Sequence, residues 1–439
     1  MIAASRNVVA LALAAGLAAF GTGAVAQGLS AGQEVLWAWN DMSLNLTRHT
    51  ATYTPPVASR AYAYVSIAAY EAVASGGDKL QTLAGQLNGL AELPRREAGQ
   101  TYDEAIVLEA AMSEVVHDLY SNTGPTGHRA MDALKAKLDG GLVDGVAADV
   151  VSRSQAYGSA IADHILAWSR DDGGAVVENM GFPTDYKLTP GPSHWVPTNV
   201  IVLQQVPLLP YWGKNRTFAL PNGATCPAAT PPAYSEDPNS EYYKQAMEVY
   251  QTWKALTPDQ FAVARFWADD AMLSVTPPGH WMTIALNTLK SRNADLDKSV
   301  DTLARVAIAM SDAFVGCWNT KFVYDLVRPI TYIRKFIDPK FESIVTTPPF
   351  PEFPSGHSTG SAAAAVVLTA AFGDNVGFDD DTDEQDGLQP RHFASFWAAA
   401  NEAAISRLYG GIHYRAAIEL GSDQGRCIAA YTVALKTAR

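Results

Sequence analysis

The stretch Pro354-Ser-Gly-His-Ser-Thr-Gly-Ser-Ala-Ala-Ala-Ala365 reads as a tight turn that runs straight into a helix. Pro354 and Gly356 mark the turn, and the alanine run favours helix. Ser355 then stands at a helix N-terminus. There the first backbone N–H groups lack intrahelical partners and the positive end of the dipole favours an anion. His357 sits on the same turn, within reach of a bound oxyanion as proton donor or acceptor. On its own this pattern is equally a capped helix with an incidental histidine.

Two flanking clusters shift that balance. Upstream lies Lys321-Phe-Val-Tyr-Asp-Leu-Val-Arg328-Pro329. A spacing of seven predicts both cations on one face of a helix that Pro329 kinks or ends. Two cations there are costly unless an anion lies between them; the plain alternative is a pair of snorkelling surface side chains. Downstream lies Ser406-Arg407-Leu-Tyr-Gly-Gly-Ile-His413. Gly410-Gly411 breaks the helix and returns the chain sharply. Arg407 can grip two oxygens of an anion. His413, taken singly, is an ordinary core or surface histidine. The three clusters combined supply one ammonium, two guanidiniums, free amides and two imidazoles. That set suits phosphate or vanadate.

These cations are exceptions in an acidic chain. The 439 residues carry 32 Lys and Arg against 45 Asp and Glu, a net charge of −13. Nucleic acid and anionic membrane surfaces are therefore poor bulk partners. The apolar fraction of 48% fills a large core. Cys226, Cys317 and Cys427 show no metal-ligand spacing, and any one pair can bridge. Arg6, the apolar Val8 to Phe20 run and Ala24-Val-Ala26 read as an export signal over residues 1–26, the plain alternative being an uncleaved anchor or a buried first helix. No later segment offers about 18 uninterrupted apolar residues, so no stable membrane insertion is expected. The expected location is periplasmic or secreted.

The fold class expected is all-α, with two helical halves. Helical periodicity fills residues 27–170, as in Arg60 to Ala74, Tyr102 to Tyr120, Pro125 to Leu138 and Val146 to Ser169. Residues 171–235 are rich in proline, glycine and aromatics and predict an ordered connection across the surface. Residues 236–439 form a C-terminal bundle carrying the oxyanion site. The acidic stretch from Asp379 to Asp386 reads as a solvated turn without calcium-loop spacing.

The three clusters match, in order and spacing, the signature shared by type-2 phosphatidic acid phosphatases and vanadium-dependent haloperoxidases: K-x6-R-P, P-S-G-H, S-R-x5-H. The match spans roughly the last quarter of the chain, and the three parts combined are specific. The resemblance implies that Lys321, Arg328, Ser355, Gly356 and Arg407 hold the oxyanion. It implies His357 as the acid–base residue. His413 becomes the vanadium ligand of a peroxidase or the nucleophile of a phosphatase.

Residues outside the signature resemble the haloperoxidase branch. Trp318 precedes Lys321 by three, and Phe350 lies in the Pro-rich run before His357; both are expected to shape a halide pocket. Phe266-Trp-Ala-Asp-Asp270 with Thr276-Pro-Pro-Gly279 resembles the segment that supplies an aspartate to the third-cluster arginine. Asp270, ahead of Asp269, is the expected partner of Arg407. The resemblance implies vanadate as cofactor, with phosphate competing. Hydrogen peroxide, a halide and a small organic molecule are the implied partners, and a homodimer is an allowed assembly. Lys321 would polarise the bound peroxide.

One position departs from the pattern. Four residues after His413 the phosphatases carry an aspartate that orients the imidazole; here it is Ala417. Another group, such as a backbone carbonyl, must then fix the His413 tautomer. An aspartate introduced at 417 is expected to raise phosphatase activity. The alternatives are an acid phosphatase working through a phosphohistidine, a non-catalytic oxyanion-binding protein, and a scaffold with a vestigial site.

Overall fold

The computed structural model describes residues 29–177, 180–198 and 205–439. The export-signal reading falls outside these residues.

Local capping sets most helix starts. Ser30 and Gln33 form a capping box ahead of α1 (Ala31–His49). Prolines open α2 (Pro55–Gly76) and α4 (Pro125–Leu142). Asp103 caps α3 (Glu104–Leu119), and α5 (Ala148–Ser169) completes the N-terminal group. A single helical turn, α6 (Gly174–Val177), follows. Helices resume with α7 (Glu241–Lys254), α8 (Pro258–Phe266), α9 (Thr276–Ser291) and the long α10 (Leu296–Tyr324). The C-terminal part adds α11 (Pro329–Phe336), α12 (Gly356–Phe372), α13 (Phe396–Tyr409) and α14 (Arg415–Val433). The all-α expectation holds. The exception is a two-stranded antiparallel hairpin of β1 (Phe378–Asp380) and β2 (Arg391–Phe393).

One apolar core runs from Val35 in α1 to Ala429 in α14 and so crosses both halves. Its axis is α10, buried over most of its length and packed on α2, α9, α12 and α14. The proline-rich connection is fixed to this axis. Buried Asp312 in α10 accepts the amides of Phe218, Ala219 and Leu220 at 2.6, 2.8 and 2.8 Å. Arg60 in α2 pairs with Asp172 at 2.6 Å, both buried. A disulfide joins Cys226 in the connection to Cys427 in α14, and Cys317 stays free and buried.

Small residues let α12 and α14 approach closely. A Cβ at Gly425 would lie 2.2 Å from the Thr359 carbonyl oxygen, so only glycine fits that crossing. The approach also places Ala417 against the turn before α12, and its carbonyl accepts the Ser355 amide at 3.0 Å. Among the described residues, no helix is long and apolar enough to cross a membrane.

Two expectations need correction. Lys321 and Arg328 do not share a helical face. α10 ends at Tyr324, Asp325 adopts a left-handed φ of 49°, and Arg328 caps the next helix, whose first residue is Pro329. The turn at Asp325 still swings both cations to one place. The stretch Asp379–Asp386 is not wholly a solvated turn either. Asp380 and Asp383 are 2% and 3% exposed: Asp380, at the end of β1, reaches His280 Nε2 at 2.8 Å, and Asp383, in the loop beyond, lies near the same imidazole.

Candidate active site

Each cluster arrives on a different element. Lys321 comes from the last turn of α10, Arg328 from the cap of α11, and Ser355, Gly356 and His357 from the start of α12. Arg407 lies in the last turn of α13. Gly411, at φ 77°, then turns the chain so that His413 enters the site ahead of α14. Arg328, Ser355, Lys321, Arg407 and His413 are all at most 2% exposed.

His413 is held at both ring nitrogens. Nδ1 lies 2.9 Å from Glu352 Oε1, which also accepts the Tyr414 amide at 2.9 Å. Nε2 lies 3.2 Å from Arg328 Nη1. An always-charged guanidinium can only donate, so Nε2 carries the lone pair and Nδ1 the proton. Burial, then Arg328 and Lys321, hold His413 well below its ordinary range. A neutral imidazole with Nε2 free to donate electrons is the form that ligates a metal. The orienting group is thus the Glu352 carboxylate and not a backbone carbonyl. Sequence reasoning passes over Glu352; its one signal is a lone acid in the apolar Pro348–Pro354 run.

The cations are desolvated. Lys321 Nζ donates to the Pro351 and Glu352 carbonyls at 2.9 and 3.1 Å, and to that of Pro354. Burial lowers its pKa to about 7. Its three N–H groups are therefore committed to backbone. It supplies charge from behind the turn and does not present an open donor for peroxide, contrary to expectation. Arg328 Nε donates to Phe350 and Nη1 to Ile412, at 2.8 and 3.0 Å. Arg407 Nη1 donates to the Trp267 carbonyl. Burial works against both guanidinium charges. Ser355 Oγ accepts the Ser358 amide at 3.2 Å, which leaves its hydroxyl proton to donate. Buried Arg328 Nη2, Arg407 Nε and His357 Nε2 have no hydrogen-bond partner.

The expected Asp270–Arg407 pair does not form. Among the described residues no ion pair within 4.0 Å joins them. Asp270 feels Arg407 only through the field that offsets its burial. Asp269 takes the closer position instead, with Oδ2 3.7 Å from His357 Nε2. Burial and then Arg407 push His357 down to about 4, so it is a neutral base at pH 7.

A cavity of about 250 Å³ opens onto Gly356, His357, Arg407 and His413. Its apolar wall includes Trp318 and Phe350, whose rings lie 4.8 Å apart. Phe350 also faces Lys321 and Arg328 at 5.1 and 5.0 Å from its centroid. A larger cavity of about 440 Å³, between Glu71, Arg96, Tyr157 and Arg439, contains none of the signature residues.

The whole chain superposes on the crystal structure of a bacterial vanadium-dependent iodoperoxidase. The TM-score is 0.85 at 38% identity, covering 92% of this chain and 97% of that one. The chain belongs to the vanadium haloperoxidase family. The family model of the VCPO second helical-bundle domain matches residues 301–438, which hold all three clusters. The vanadium chloroperoxidase of Curvularia inaequalis is 24% identical over 86% of this chain and 78% of its own length. An apo-type bacterial vanadium-dependent chloroperoxidase shares the fold, with a TM-score of 0.66 at 16% identity over 86% and 93% of the two chains.

The residues present fit the cofactor of this haloperoxidase family. Three buried basic side chains, Lys321, Arg328 and Arg407, converge beside a neutral imidazole whose Nε2 carries its lone pair. Unpartnered donors remain on Arg328 and Arg407. A tetrahedral oxyanion such as vanadate would satisfy both conditions. His413 would ligate it, while Arg328, Arg407, Ser355 and the Gly356 amide would bind its oxygens.

Proposed function

We propose that this protein oxidises a halide with hydrogen peroxide and uses vanadate held at His413. The observation that supports this most directly is the Glu352-fixed tautomer of His413 amid three buried cations. When bound, vanadate supplies a Lewis-acidic centre that activates peroxide without changing oxidation state. The chain supplies the rest. Arg328 and Arg407 bind and orient, and Lys321 adds charge through the Pro351–Pro354 turn. Neutral His357 takes the first proton. Trp318 and Phe350 exclude water and offer an apolar seat for a weakly hydrated halide. Hypohalous acid is the product.

The test is to load the purified protein with orthovanadate and follow triiodide formation and bromination of a phenol dye. Activity is expected only with vanadate and peroxide both present, and phosphate should inhibit it. Inertness towards every halide would overturn the reading. A second reading is an acid phosphatase, and one observation favours it: Glu352 supplies the acid behind the imidazole that a phosphohistidine mechanism needs. Fast hydrolysis of p-nitrophenyl phosphate without halide oxidation would select it.

We also infer that the protein works outside the cytoplasm. The Cys226–Cys427 disulfide supports an oxidising compartment. N-terminal sequencing from the native host tests the expected start near Gln27. An intact Met1 in the cytoplasm would reject export.

A further inference from the structure

Behind His357 lies a chain of buried charges outside the signature. His280, in the first turn of α9, is 0% exposed. Its Nδ1 is 3.0 Å from Asp269 Oδ1 and its Nε2 is 2.8 Å from Asp380 Oδ2. A carboxylate only accepts, so both ring nitrogens must donate, and His280 is an imidazolium. Burial alone would lower its pKa, but the two carboxylates hold it well above the ordinary range. The ring stacks on Trp267 at 4.4 Å, and the Trp267 carbonyl receives Arg407. Asp380 is fixed in turn. Its Oδ1 accepts the Thr382 amide and hydroxyl at 3.2 and 2.7 Å.

Asp269 sits at a left-handed φ of 50°, an uncommon conformation for aspartate that the surrounding contacts maintain. Its Oδ1 is taken by His280, and its buried Oδ2 has no hydrogen-bond partner. That oxygen is 3.7 Å from His357 Nε2, which also has none. Four side chains thus form a line from the β1 hairpin to the cavity: Asp380, His280, Asp269 and His357.

We infer that His280 is a positioning residue: clamped between Asp380 and Asp269, it fixes the Asp269 carboxylate toward His357 and so sets the orientation and proton affinity of His357. The inference rests on the reading of His357 as the acid–base group. The charged groups facing His357 are Asp269 from the α8–α9 loop, Arg407 from α13 and, beyond Asp269, His280 from α9. Asp269, His280 and Asp383 also lie close enough to share a cation. With both His280 nitrogens already bonded to carboxylates, a proton accounts for the cluster without one.

The experiment is a double-mutant cycle of His280→Gln and Asp269→Asn on the vanadate-loaded enzyme, with Asp380→Asn as a second way to release His280. His280→Gln should lower kcat about 10-fold, the usual scale for an orienting partner, with vanadate affinity and halide KM held within about twofold. In the Asp269→Asn background the same change should cost less than about twofold, because both act through one carboxylate. Nitrogen-15 spectra of the vanadate-free protein should show a shifted His357 titration midpoint in His280→Gln and in Asp380→Asn. Additive effects on kcat, or an unmoved His357 midpoint, would overturn the inference. So would a stoichiometric divalent cation whose removal reproduces the variant. Should wild type oxidise no halide, the nitrogen spectra still decide the coupling and the reading of His357 fails separately. If His280→Gln does not fold, Asp380→Asn carries the same test.

Discussion

Glu352 Oε1 and His413 Nδ1 lie 2.9 Å apart, each within a side chain at most 3% exposed. The pair sets the tautomer that leaves Nε2 as the ligating atom. Burial pushes Glu352 up to about 7, against the pull of the Tyr414 amide, Arg328 and Lys321. Glu352→Gln keeps the shape and removes the charge. It should weaken vanadate binding about 10-fold, and Glu352→Ala by up to about 100-fold. Titration calorimetry with orthovanadate measures both. Wild-type affinity in Glu352→Ala would show that His413 needs no orienting acid.

The same pair reverses the expectation for position 417. Ala417 is 1% exposed in an apolar cluster with Ala228, Leu326 and Phe353. The orienting role it was expected to leave vacant is filled by Glu352. Ala417→Asp would bury a carboxylate without a partner, at a cost of about 3 kcal/mol or more. Thermal melting should show the loss, and p-nitrophenyl phosphate turnover should not rise.

The two histidines should separate binding from proton transfer. His413→Ala should abolish vanadate binding. His357→Ala should bind vanadate nearly as wild type and lose about 100-fold or more of halide oxidation. Equilibrium dialysis with vanadate, beside triiodide formation, checks both. Equal loss of vanadate in the two variants would reverse the assignment.

Much of this site is legible in the sequence because its cues are local. Ser355 caps α12 as its turn predicts, Gly411 turns the chain as the glycine pair predicts, and the Trp318 and Phe350 rings meet in the cavity wall. What escapes is long-range or depends on one residue of register. Asp269 and Asp270 are chemically alike, and the left-handed φ at Asp269 decides which one faces His357. His280 and Asp380 are 100 positions apart and meet only through the hairpin. Spacing cannot pair Cys226 with Cys427, because the connection and α14 come together only in the folded core. The seven-residue rule placed Lys321 and Arg328 together for the wrong reason, since the helix ends between them.

The disulfide should act on stability more than on chemistry. It closes a loop of 201 residues and ties the proline-rich connection to α14. Removing such a link typically costs about 2–5 kcal/mol. Cys226→Ala with Cys427→Ala should lower the melting temperature by several degrees and leave halide oxidation at 25 °C unchanged. An unchanged melting temperature would mean that Asp312 and the Arg60–Asp172 pair suffice to hold the connection.

Lys321 gives the site a pH-dependent stability. Burial lowers its folded-state pKa to about 7 from an ordinary value of 10.5. Between these values the unfolded chain holds the proton and the folded one sheds it, so stability rises with pH. As pH falls through about 7 that contribution is lost, because the folded state must then bury the charge. A bound oxyanion favours charged Lys321, so anion stabilisation should run the other way and shrink as pH rises. Sulfate is the suitable probe, since its own charge is constant across this range. In vanadate-free wild type the rise in melting temperature produced by sulfate should be larger at pH 7 than at pH 9. In Lys321→Gln the two rises should be nearly equal. Equal rises in wild type would show that the Pro351–Pro354 carbonyls keep Lys321 charged throughout.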